Sequence, residues 1–164
     1  MALIVVLVAG MMIYRAVNVP KLDKEKDLEI PFYTTAAPEL KHKAETLYNQ
    51  QGCDHCHSLW MNRNMMETVP APALDGIGSL RDEKWFYNYL SAEDPQSILP
   101  TRLKQEWRMP SYAHLPDAER HLLATYLASL KVKDWYLEDT KKAEYEKLTG
   151  KRYHATGHES SDQK

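Results

Sequence analysis

Gly52-Cys53-Asp54-His55-Cys56-His57 contains both cysteines of a 164-residue chain. Two thiols at this spacing cannot tie distant parts of a fold together, so they call for a chemical explanation. A cysteine pair followed at once by histidine is the C-x-x-C-H pattern of haem attachment. Both thiols can add to the vinyl groups of one macrocycle, and the adjacent imidazole then reaches the iron from the proximal side. Two rival chemistries ask for more than is present. A thioredoxin-like redox pair wants a βαβ context, and a structural zinc site wants four ligands where only Cys53, Cys56 and scattered histidines exist.

On either side of the motif the apolar residues recur at helical spacing. Leu40, Ala44, Leu47 and Tyr48 predict an amphipathic helix over 38–51, with Pro38 in its first turn and Gly52 at its stop. Asp82 is an N-cap for a second helix reaching 93, with Trp85, Phe86, Tyr89 and Leu90 on one face. Pro95, Pro100 and Pro110 make 94–114 an irregular connection. Beyond it, Leu122, Leu123, Tyr126, Leu127 and Leu130 predict a third helix over 117–130. With 6 glycines and 43% hydrophobic residues, the chain reads as all-α and not as a sheet-rich sandwich. A covalent haem suits so small a domain, because the flat macrocycle becomes the centre of its core.

The second axial position decides between electron transfer and ligand chemistry. Met109, in Arg108-Met109-Pro110-Ser111-Tyr112, follows a loop long enough to round the haem edge and is the expected sixth ligand. Met61, Met65 and Met66 sit close behind His57 on its own side and read as gap-filling or surface methionines. Were Met109 unbound, an open distal face would make the chain a haem enzyme or gas sensor. A net charge of -2 leaves no basic footprint for nucleic acid.

Residues 2–14 carry no charge, and with 16–19 the apolar segment approaches the roughly 20 residues that span a bilayer. We expect a single transmembrane anchor over 1–19 and a linker over 20–37. Arg15 and Lys21 alone would favour the cytoplasmic side, but Asp23, Glu25, Asp27 and Glu29 nearly balance the basic residues there. The charged tail, 131–164, contains one candidate exposed helix around 139–148, and its late histidines His154 and His158 read as solvated.

Across 38–130 the chain resembles the class I c-type cytochromes. The likeness rests on the C-x-x-C-H motif, Ala71-Pro72-Ala73-Leu74 with Gly76-Ile77-Gly78, Trp85, Arg108-Met109-Pro110, and the closing Tyr126-Leu127-Ala128-Ser129-Leu130. It implies a cytochrome c fold around one covalent haem c bound by Cys53 and Cys56, with His57 and Met109 as axial ligands. It also implies that the Pro72 carbonyl fixes His57 and that Arg81 and Trp85 lie at the haem edge. Such a protein carries electrons and has no small-molecule substrate of its own. With its anchor, the chain is similar to the monohaem subunit of C-family haem-copper oxidases and, more loosely, to the small subunit of nitric oxide reductase. That likeness implies a respiratory complex in the bacterial inner membrane, with the haem domain facing the periplasm and a redox donor or acceptor protein as partner.

Overall fold

A computed structural model describes residues 29–62, 69 and 71–154 of the chain. The chain divides into two units, Met1–Ile30 and Pro31–Lys164, and the elements below belong to the second. The expected anchor over 1–19 lies outside the described residues. Among those described, no helix is long and apolar enough to cross a membrane.

Helix α1 (Pro38–Gln50) starts on its proline and buries Ala44, Leu47 and Tyr48. It stops because Gly52 takes φ +68, a left-handed conformation that glycine adopts without steric cost. Helix α2 (Glu83–Ser91) is capped by Asp82, whose side chain accepts the Trp85 N–H at 2.8 Å, and it buries Phe86, Tyr89 and Leu90. Helix α3 (Asp117–Ser129) buries Leu123, Ala124, Tyr126 and Leu127.

Helix α3 packs on both α1 and α2. Ala44, Ala124 and Tyr126 are each 0% exposed, which puts two small residues and one large one in the centre of the packing. Burial of this kind stabilises by roughly 1.5–3 kcal/mol per large apolar side chain. The Tyr126 hydroxyl still finds a partner, donating to Glu45 Oε1 at 2.7 Å, and Trp60 Nε1 donates to the same oxygen at 2.7 Å.

Two features extend past the expected domain limits of 38 and 130. Strand β1 (Phe32–Thr34) pairs antiparallel with β2 (Leu130–Val132), Phe32 opposite Val132 and Thr34 opposite Leu130. The expected linker over 20–37 therefore contains part of the fold. Its order comes from partners about a hundred residues away: Thr34 Oγ1 meets Ser129 Oγ at 2.8 Å, and Lys133 N–H donates to the Pro31 carbonyl at 2.9 Å. The second feature is helix α4 (Leu137–Thr149) in the expected tail. Far from lying free in solvent throughout, it buries Thr140 and ends on Gly150 in the left-handed conformation.

Candidate functional site

The motif follows directly on α1 because Gly52 turns the chain into a single tight turn, Cys53–His55. His57 N–H and Cys56 N–H both donate to the Cys53 carbonyl, at 2.9 and 3.2 Å. Burial pushes the Cys53 thiol up to about 11, against the lowering effect of its contact with Tyr112. That contact is made by the thiol donating to the Tyr112 hydroxyl over 4.0 Å. A thiol held protonated at neutral pH is the opposite of the thiolate that a thioredoxin-like nucleophile requires.

His57 is oriented from two directions. Its Nδ1 lies 2.8 Å from the Pro72 carbonyl oxygen. A carbonyl can only accept, so Nδ1 carries the proton and Nε2 keeps its lone pair for a metal. Its own carbonyl accepts the Tyr48 hydroxyl at 2.9 Å. Burial raises the pKa of Tyr48, so this phenol remains a neutral donor across the working pH range. The Leu74 N–H donates to the Ser58 carbonyl at 3.0 Å and ties the Pro72 segment to the motif.

These groups open onto a cavity of about 330 Å³, lined by Cys53, Cys56, His57, Pro72, Arg81, Trp85 and Met109 among others. All seven of the site residues named from the sequence thus reach one space. Its walls include Leu74, Ile77, Phe86, Leu90, Leu123 and Leu127, an apolar lining of the sort that accepts a flat macrocycle. The donor set fits a covalent haem: two thiols, an imidazole with its lone-pair nitrogen selected, and a thioether. A second cavity of about 420 Å³ also touches His57, but Glu45, Asn49, Asp54 and Asn62 give it a polar wall.

Met61 is 65% exposed, while Met65 and Met66 lie outside the described residues. Arg81 stacks its guanidinium 4.5 Å from the centre of the Trp85 ring, and Trp85 stacks in turn on Tyr89 at 4.9 Å. Among the described residues, no three His, Cys, Asp or Glu side chains gather into a metal site.

Several lining residues had no role in the sequence reading. Tyr112 was visible in the Met109 stretch but carried no pattern of its own. Leu99, Leu103 and Trp107 line the cavity from the irregular connection, and Glu144 and Leu148 from α4. Helix α4 overlaps the exposed helix expected around 139–148, but its polar Glu144 gave no sign of facing the cavity.

A family model described as cytochrome c matches residues 19–131, well over half of the chain. No curated protein and no solved structure matches. Helix α4 begins beyond the matched span.

Proposed function

The chain belongs to the cytochrome c family, and from that premise we propose that it is a membrane-anchored, single-haem electron carrier with His57 and Met109 as axial ligands. The observation that carries this reading is the cavity itself. Cys53, Cys56, His57 and Met109 line one apolar space, and the Pro72 carbonyl selects the tautomer of His57.

When bound, haem c supplies an iron that alternates between two oxidation states. The chain's own residues then have distinct tasks. Cys53 and Cys56 tether the group. Pro72 and Tyr48 hold His57 so that its orientation does not change with the iron's charge. Leu74, Ile77, Phe86 and Leu123 line the cavity with apolar groups that would keep water from the bound group. Met109 would supply the second ligand, and Met/His ligation raises the reduction potential. A high potential suits a donor to an oxidase or a similar acceptor.

Membership of a respiratory complex, the anchor over 1–19 and a periplasmic haem domain are parts of the same proposal. They are supported by the uncharged run 2–14 and by the expectation that thioether formation is completed outside the bacterial cytoplasm.

The deciding experiment is the near-infrared absorption that reports sulfur coordination to ferric iron. It should vanish in Met109→Ala and survive in Met61→Ala, Met65→Ala and Met66→Ala. Survival in Met109→Ala would overturn the ligand assignment. For placement, protease added to intact spheroplasts should digest the haem domain. Digestion only after lysis would reverse the topology.

A further inference from the structure

Helix α4 lies beyond the span shared with the family, yet Glu144 and Leu148 line the same cavity as the motif. It is fastened on two sides. On one, Arg81 Nη1 donates to Glu144 Oε1 at 2.5 Å, and the two side chains are only 16% and 14% exposed. On the other, Arg102 Nε donates to the Lys147 carbonyl at 3.2 Å and Arg102 N–H to the Leu148 carbonyl at 3.4 Å. Arg102 belongs to the irregular connection that leads to Met109. The helix therefore bridges the segment before α2 and the loop carrying the thioether.

A charged side chain on the wall of an apolar cavity is costly unless it is paired. Arg81 has two supports, the face of Trp85 and the Glu144 carboxylate. The ring alone would leave a full positive charge beside the cavity. With Glu144 in place the pair is nearly neutral, and the guanidinium is held flat against the ring.

We propose that α4 is a cover for one edge of the haem cavity, and that Glu144 is a positioning residue that holds Arg81 on Trp85 and cancels its charge there. This rests on the haem reading above. Adding an electron to the iron lowers the local charge, so an uncompensated cation nearby favours the reduced state. Glu144 thus holds the reduction potential below the value that Arg81 alone would give.

The test is a double-mutant cycle read by potentiometric titration of the full-length, detergent-solubilised protein. The midpoint potential should rise in Glu144→Gln, fall in Arg81→Gln, and return towards the parent value in the double variant. An unchanged or lowered potential in Glu144→Gln overturns the charge assignment. Amide hydrogen exchange on the unmutated protein tests the cover without relying on any variant to fold. Amides of α4 should exchange at least about tenfold more slowly than an unstructured chain, and unprotected rates would overturn the cover. Release of all the haem by acid-acetone would defeat the haem reading instead, whereas the exchange result reports on α4 alone.

Discussion

On one wall of the cavity, His57 is held through its ring and its main chain by separate partners, at 2.8 and 2.9 Å. On another part of the lining, the side-chain support for the Met109 backbone is Gln96 Nε2, 3.4 Å from the carbonyl oxygen. The first wall is backed by buried Tyr48, Leu59 and Ile77. The second is a run in which Lys104, Gln105, Glu106 and Arg108 are exposed and Trp107 is 44% exposed. His57 is fixed by hydrogen bonds at its ring and its main chain, while the Met109 thioether follows an exposed segment. Under the proposed ligation, one ligand would be fixed by two hydrogen bonds and the other carried by an exposed segment.

The largest effect expected from breaking this contrast lies behind the firm wall. A Cβ at Gly78 would fall 2.3 Å from the Ala128 carbonyl oxygen, a backbone atom that cannot swing aside. Gly78→Ala should therefore force the turn carrying Ile77 off α3 and cost about 3 kcal/mol, read as a lowered denaturant midpoint. A loss of under about 0.5 kcal/mol, the ordinary surface range, would mean that this close approach does not support the wall.

Next come two hydrogen bonds, one from each wall. Tyr48→Phe removes the donor to the half-buried His57 carbonyl, at a cost of about 1 kcal/mol. Gln96→Ala removes a long contact at a half-exposed site and should cost less than about 0.5 kcal/mol. Both are read by denaturant unfolding of the haem-loaded protein. A larger loss in Gln96→Ala than in Tyr48→Phe would invert the contrast.

The same contrast explains what was legible in the sequence. Firm features announce themselves locally: the capping Asp82, Pro38 at the start of α1, and the apolar stripe of α3 each sit within a few residues of the element they define. The three helices are found at Pro38–Gln50, Glu83–Ser91 and Asp117–Ser129, within two residues of expectation. The short strands were hidden because Phe32–Thr34 and Leu130–Val132 are three residues each, too brief for an alternating pattern. Their pairing is a long-range fact. Helix α4 was visible as a helix but not as a wall, because Glu144 stands where an apolar residue would have advertised burial. Its reason for facing inward, Arg81, is 63 positions away.

The smallest expected effect concerns a carboxylate behind the firm wall. Asp75 is buried, at 7% exposure, and its Oδ1 accepts the Met61 N–H at 3.2 Å. Trp60 and Met61 both take positive φ, 56 and 58, so this side chain pins a turn that non-glycine residues rarely adopt. Burial raises its pKa above the ordinary aspartate value of 3.8, against the lowering effect of the Met61 and Trp60 N–H groups. The folded protein therefore binds this proton more tightly than the unfolded chain does. Stability falls with rising pH wherever the native state holds more protons. The Asp75 contribution should thus be fully present below 3.8 and decline as pH climbs from there through the raised folded value. Asp75→Asn keeps an oxygen to accept the same N–H groups and removes the titration. Subtracting the variant's stability from that of the parent at each pH should give a difference that falls across this window. A difference that rises instead would mean that the N–H groups outweigh burial at Asp75, making the ionised carboxylate a stabilising part of the turn.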